Sequence, residues 1–255
     1  MLNALDRLLF LVDQAKSYRS NHRFVRRHPD FTVPPPSLAF DAFGHTNYEA
    51  YLRTGVEHAR FVAQTARTLL PTSRLPVLEW GCGPGRIIRH LPEMLADQTP
   101  TVVGVDFSAE TIEWCRRNIP GVTFETNNLR PPLSFPDRQF GFVYAISVFT
   151  HLDEVRWSDW MMELHRVMTV GGVLLFTTHG KQYVPKLLPD EKEIFMGGRP
   201  VFRAKIDQGK KRFVAFHPRE FVLASLPPGL QLLSHTDSSE VPDLRQDVWV
   251  LGKSL

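Results

Sequence analysis

Val77-Leu78-Glu79-Trp80-Gly81-Cys82-Gly83-Pro84-Gly85-Arg86 is the stretch whose reading decides the fold. A short apolar run ends in an acid, Glu79. A glycine turn follows through Gly81, Gly83 and Gly85, and a helical pattern begins at Arg86. Strand, turn and helix in that order gather backbone amides and a helix N-terminus around a bound ligand. The next apolar strand, Thr101 to Asp106, ends in a second acid. Carboxylates at two neighbouring strand ends suit a nucleoside ligand with free ribose hydroxyls. The spacing is G-x-G-x-G, and Arg86 stands where a dinucleotide fingerprint needs its third glycine. That substitution argues against a nicotinamide-dependent oxidoreductase.

Upstream, Leu2, Leu5, Leu9, Val12 and Ala15 fall near helical spacing and predict an amphipathic helix over 2–16. Pro29, Pro34, Pro35 and Pro36 predict an extended strap over 29–36. A second helix is expected from about Asn47 to Leu70, ended by Pro71. Residues 1–71 are thus read as a helical cap with a Pro-rich strap, and 72–255 as the ligand-binding core.

Within that core, strands and helices alternate, which implies a parallel sheet covered on both faces. Ser108 is a good N-cap, followed by Glu110 and Glu113. From Trp157, the residues Trp160, Met161, Leu164, Val167 and Met168 mark one helix face, with Gly171 and Gly172 expected to stop the helix. Gly172 to His179 reads as a buried strand. Pro200 to Phe216 places Asp207-Gln208-Gly209-Lys210 between two strand-like runs, an inserted hairpin within an insertion over about 181–216. A helix after Pro218 and strands near Leu230–His235 and Asp247–Leu251 complete the expected fold. It is a doubly wound α/β, seven-stranded, mostly parallel sheet whose last strand runs antiparallel.

The chain has 255 residues, 43% hydrophobic and 22% charged, an ordinary globular balance with one sizeable core as the default. No apolar run approaches the ~20 residues of a membrane span. The LLFLV stretch is interrupted by Asp6, Arg7 and Asp13, so it does not read as a secretory signal. The two cysteines, Cys82 and Cys115, suit a reducing compartment, and the expected location is the cytoplasm. A net charge of +3 is too mild to imply nucleic acid. The basic run Arg19, His22, Arg23, Arg26, Arg27 and His28 reads as a solvated helix face, with an anionic acceptor as the functional alternative.

The motifs together resemble the Rossmann-like (class I) S-adenosylmethionine-dependent methyltransferases, particularly members from small-molecule and glycan biosynthesis. VLEWGCGPGRIIRHL resembles the family's first motif and VVGVDFSAETIEWCRRN its second. FETNNLRPPLSFPDRQFGFVYAISVFTHLDE resembles the third and fourth, LHRVMTVGGVLLFTTHG the fifth, and QDVWVL the last antiparallel strand. The resemblance implies S-adenosylmethionine as cofactor and S-adenosylhomocysteine as product. It implies that Gly81, Cys82, Gly83 and Gly85 form the cofactor loop, with Glu79 offsetting the methionine ammonium. Asp106 would accept from the ribose hydroxyls, and Phe107 would pack on adenine. Where relatives usually carry an aspartate near the adenine amino group, this chain has Asn128, followed by Leu129. Ile146 and Ser147 would line the cofactor near the sulfonium. Tyr51 and Arg53, before the core, are further candidates to close over the methionine carboxylate.

A hydroxyl acceptor needs a base, and histidine suits that role near neutral pH. His151 ranks first and His217 second, ahead of His179 and His45; packing or capping explains His151 at least as simply, and explains His179, His217 and His45 better than a base role does. No carboxylate cluster suggests a metal, and none is expected. Phe31, Phe40, Phe43, Phe195, Phe202 and Phe213 are candidates for an apolar acceptor pocket, or for ordinary core. The expected activity is methyl transfer to a small-molecule or sugar hydroxyl, in polysaccharide or secondary-metabolite biosynthesis. The alternative is a non-catalytic methyltransferase-like module acting through partners. Oligomeric state is open.

Overall fold

The computed structural model describes residues 4–70, 74–98, 101–204, 213–237 and 244–254. The N-terminal part runs through α1 (Ala4–Arg27), α2 (Pro36–Phe43) and α3 (Tyr48–Leu69). The first half of the sheet follows as β1 (Val77–Trp80), α4 (Leu91–Met94), β2 (Val102–Asp106), α5 (Ala109–Asn118) and β3 (Thr123–Thr126). Next come β4 (Phe140–Ala145), α6 (Glu154–Val167), β5 (Met168–Thr178) and α7 (Pro189–Met196). The chain closes with β6 (Val201–Ala204), β7 (Phe213–Phe216), α8 (Arg219–Ala224), β8 (Leu230–Thr236) and β9 (Asp247–Lys253).

The sheet has seven strands in the order β3-β2-β1-β4-β5-β9-β8. β1 to β5 run parallel, and β9 lies antiparallel between β5 and β8. This is the Rossmann-like methyltransferase fold. All of β1 and β2 is buried, as a sheet covered on both faces requires. On one face Trp80, Phe149, Trp157, Trp160, Phe176 and Trp249 form an aromatic core. On the other, α3 and α5, the latter through Ile112, pack with Val77, Ile88, Phe142 and Val250. The strand order reverses between β1 and β4, and the crevice beyond their C-terminal ends is where such sheets bind ligands. Among the described residues β6 and β7 pair only with each other, giving the expected hairpin; its turn, Asp207 to Lys210, lies outside them.

Four local expectations are corrected. The helix expected from Arg86 is instead a run of turns, a 3-10 turn over Ile88–His90 and the single-turn α4. Pro92 at the start of α4 has no N–H to give the preceding turn, so a continuous helix cannot run through it. The first helix extends to Arg27 and so carries most of the basic run. Its predicted inner face is outward: Leu9 and Val12 are exposed. The inner face is chosen by polar groups, because Asp13 accepts from the Thr46 N–H and hydroxyl, and Asn21 accepts from the Tyr48 N–H. Leu2 lies outside the described residues. The strap ends at Pro35, where α2 begins and runs to the left-handed Gly44. Finally, Gly171 and Gly172 do not stop a helix. α6, capped by Asp153, passes directly into β5, and the two glycines lie inside β5 beside a register shift against β4.

Candidate functional site

The loop after β1 is shaped by left-handed glycines, with φ of +77° at Gly81, +50° at Gly83 and +71° at Gly85. A Cβ on Gly81 would stand 2.4 Å from Val148 Cγ2, so no other residue fits there unstrained. The Gly81 and Cys82 N–H groups both donate to the Val105 carbonyl, at 2.8 and 3.0 Å, tying the loop to the end of β2. The Gly83 N–H donates to Asp106 Oδ2 at 3.0 Å, and the Ser108 N–H to Oδ1 at 2.9 Å. Loop and acid therefore form one unit at two adjacent strand ends. Asp106 is buried, and desolvation raises its pKa against the pull of the backbone donors. Cys82 is also buried, which pushes its thiol well up and keeps it unreactive.

Beside this unit the Phe107 ring is 41% exposed. The Asn127 N–H donates to the Asp106 carbonyl at 3.1 Å, bringing the end of β3 alongside. Asn128 and Leu129 are exposed there, and the Leu129 carbonyl accepts from the Trp160 indole at 3.2 Å. The sequence-predicted residues of the first three strands thus converge on one edge.

Glu79 lies beneath that edge. It is buried, and desolvation pushes its pKa up to about 8 against the hydrogen bond from the Tyr144 hydroxyl and the charge of Arg86. Arg86 itself is turned into the N-terminal helices. Its guanidinium donates to Thr54 Oγ1 at 2.8 Å, lies 3.2 Å from His58 Nδ1, and sits over the Phe43 ring at 5.1 Å. The Tyr51 hydroxyl donates to the Pro84 carbonyl at 2.7 Å. Gly55 lies so close that a Cβ would be 2.3 Å from the Arg86 carbonyl. α3 therefore clamps the glycine loop. Tyr51 acts on the loop backbone, whereas Arg53 pairs with Glu57 on an exposed helix face.

At the far end, Ile146 and Ser147 follow β4, with Ser147 in the left-handed region at φ +63°. Its strained backbone is held from outside. The Ser147 N–H donates to Thr177 Oγ1 at 2.8 Å, and the Ser147 and Thr177 hydroxyls both donate to Gln246 Oε1, at 3.1 and 2.5 Å. The Gln246 amide nitrogen lies 3.3 Å from His179 Nε2, while His179 Nδ1 faces the Ala215 carbonyl at 3.2 Å. Burial, with His151 nearby, brings the His179 pKa down to about 4.

His151 ends the 3-10 turn Phe149–His151, and its Nδ1 lies 2.7 Å from the Phe213 carbonyl of β7. A neutral ring so placed carries its proton on Nδ1 and its lone pair on Nε2. His217 differs. It is fully buried among Trp157, Phe202 and Phe221, neither ring nitrogen has a hydrogen-bond partner among the described residues, and desolvation brings its pKa down to about 3. His45 caps the α3 turn through Asn47. The six phenylalanines do not make one pocket. Phe31, Phe40 and Phe43 pack in the N-terminal part, and Phe195 is buried in the insertion core.

Tyr144, Arg86 and Gln246 were not anticipated from the sequence. From the sequence Arg86 reads as a helix start and a missing third glycine, not as a partner of Thr54 and His58. Gln246 stands at the head of the recognised QDVWVL segment, with nothing local to mark it.

Residues 77–172 match a family described as methyltransferase domain. That match gives this segment a methyltransferase likeness. A probable S-adenosylmethionine-dependent methyltransferase of Mycolicibacterium smegmatis is 32% identical over 102 residues, 40% of this chain and 37% of that protein. A malonyl-[acyl-carrier protein] O-methyltransferase of Enterobacter lignolyticus is 30% identical over 132 residues, covering 51% and 50%. The matches thus span about a third to a half of these relatives' lengths. Among solved structures, the PH0226 protein of Pyrococcus horikoshii superposes with a TM-score of 0.59 at 19% identity, covering 85% of this chain and 95% of that one. A sugar N-methyltransferase of a Streptoalloteichus species gives a TM-score of 0.60 at 17% identity, covering 82% and 91%. These two show that the chain shares its fold with them. S-adenosylmethionine is the cofactor of the family, and the glycine cradle with its strand-end acid fits such a group. Among the described residues, no helix is long and apolar enough to cross a membrane.

Proposed function

We propose that the chain is a cytoplasmic S-adenosylmethionine-dependent methyltransferase acting on a hydroxyl of a small-molecule or sugar acceptor. The observation that carries this is the joined loop and acid: Asp106 accepts from the Gly83 N–H and lies next to the exposed Phe107 ring. In this reading Asp106 holds the ribose hydroxyls and Phe107 supplies a face for adenine. Gly81, Cys82, Gly83 and Gly85 allow close backbone approach. Glu79 balances the ammonium from beneath, Asn128 and Leu129 bound the base, and Ile146 and Ser147 line the sulfonium end. Residues 1–71 serve as the cap, clamped on the loop through Tyr51, Gly55 and Arg86.

When bound, the cofactor supplies an electrophilic methyl group. The chain's work is to position the acceptor, exclude water and remove a proton. His151 is the base of choice. Phe213 fixes its tautomer, which directs the Nε2 lone pair away from the hairpin backbone. His217 is enclosed and neutral and serves the hairpin's packing. The Ser147–Thr177–Gln246 network holds the β4 end rigid between the two.

Calorimetric titration with S-adenosylmethionine, followed by an acceptor screen with labelled methyl donor, tests the reading. Micromolar binding with label on a hydroxylated acceptor supports it. Binding without turnover on any acceptor favours the partner-dependent module, and absence of binding overturns the cofactor-site reading and leaves that module as the one that stands.

A further inference from the structure

We propose that His235, Asp237 and Asp247 form a site for a divalent first-row transition-metal ion, of the zinc or manganese class. His235 lies near the end of β8, Asp237 follows that strand, and Asp247 opens β9, outside the residues described for the cofactor. One ligand atom from each lies within 4.8 Å of the others. His235 Nε2 is 3.1 Å from Asp247 Oδ2 and 4.0 Å from Asp237 Oδ1. Metal–ligand bonds of about 2.0–2.2 Å put neighbouring ligand atoms roughly 3–4 Å apart, so little movement is needed to admit an ion.

A second observation points the same way. Asp247 is only 4% exposed, yet its Oδ1 has no hydrogen-bond partner among the described residues. An unsatisfied oxygen on a buried carboxylate is costly to keep, and a cation would satisfy it. The carboxylate is also held in place: a Cβ on Gly180 would lie 2.0 Å from Asp247 Oδ2, so only glycine leaves it room. The His235 ring stacks on Trp249 at 3.9 Å and 24°, and the Trp249 indole is fixed by Thr178 Oγ1. Two carboxylates and a neutral imidazole sum to a charge that a divalent ion cancels. The imidazole favours zinc over magnesium, and the two carboxylates also suit manganese. An ion here staples the end of β8 to the start of β9, beside Gly180 and therefore next to His179.

The test is calorimetric titration of the chelator-stripped full chain with Zn²⁺, with Mn²⁺ and Mg²⁺ in parallel and thermal melts alongside. The expected result is one zinc ion per chain, a raised Tm, and binding weakened at least ~10-fold by His235→Gln and by Asp237→Asn. Asp237 is exposed, so its variant tests the site without disturbing packing. No uptake of zinc or manganese overturns the proposal. So does uptake that both variants leave unchanged, and so does magnesium binding as tight as zinc.

Discussion

The Tyr144 hydroxyl donates to Glu79 Oε2 at 2.8 Å, and the two residues face each other in the β1–β4 register. The pair sits directly under the glycine loop, with Glu79 pushed up to about 8 by burial. Near neutral pH the carboxyl holds its proton in the absence of ligand. A cationic ammonium above it favours the ionised form, so cofactor binding should release a proton below pH 8. Affinity should then rise with pH up to about 8, by as much as ~10-fold per pH unit, and level off above it. Tyr144→Phe removes a bond that lowers the Glu79 pKa and should move the midpoint upward. Calorimetry in buffers of differing ionisation enthalpy measures the released proton. A flat profile, or one that Glu79→Gln leaves intact, would refute the coupling.

His217 makes the unliganded protein sensitive to acid. Its folded pKa of about 3 lies below the usual 6.5, so the folded state refuses a proton that the unfolded chain accepts. The contribution is fully present above pH 6.5 and is lost as pH falls toward 3, by at most ~1.4 kcal/mol per pH unit. His179, lowered to about 4, adds the same sign over a narrower window. His217→Leu should flatten the acid limb of a denaturant-midpoint profile and leave the region above pH 7 nearly unchanged. An acid limb as steep as in the parent protein would remove His217 as its source.

The sheet was readable in the sequence because its signals are local. Continuous apolar runs mark β1, β2 and β4, Ser108 is a cap, and the glycine turn follows an acid. What could not be read depends on partners distant in sequence. Leu9 and Val12 have helical spacing, but Asp13 and Asn21 bind the turn at 46–48 and decide which face turns inward. Gln246 meets Ser147 across 99 positions, so no spacing rule points to it. Histidine roles were legible only as a set. The hairpin carbonyl beside His151 and the aromatic enclosure of His217 give different surroundings to the two residues that the sequence ranks first and second.

Asp106→Ala should weaken S-adenosylmethionine binding by about 1.5–3 kcal/mol, the loss expected for hydrogen bonds to a charged group. Asp106→Asn keeps one acceptor oxygen for the Gly83 or Ser108 N–H and should fall between the two. Affinity unchanged in Asp106→Ala by calorimetry, in protein shown to be folded by its far-UV spectrum, would remove Asp106 from the ribose role.

Gly55→Ala places a methyl group 2.3 Å from the Arg86 carbonyl and must push α3 off the loop. Overpacking of this kind costs about 1–3 kcal/mol. Stability should drop, and cofactor affinity should drop with it, because the loop is clamped by the same contact. Thr54→Val removes the Arg86 hydrogen bond without adding bulk and should give a milder form of both effects. Stability lost with cofactor affinity intact would show that the clamp does not shape the loop.

His151→Ala should slow methyl transfer by roughly 100-fold or more while leaving cofactor affinity unchanged, as loss of a general base does. The two readouts matter together, since a packing role would lower stability and perturb both. His151→Gln is the sharper variant. A glutamine amide can still donate to the Phe213 carbonyl 2.7 Å from the native Nδ1, yet it has no basic nitrogen at neutral pH. If His151 acts only by holding the hairpin on the β4 end, Gln should restore much of the rate lost in Ala. If it removes the acceptor proton, Gln should be as slow as Ala, and both variants should recover partly as pH rises and the acceptor ionises on its own. Near-normal turnover in both variants would leave His151 a structural residue and the base elsewhere.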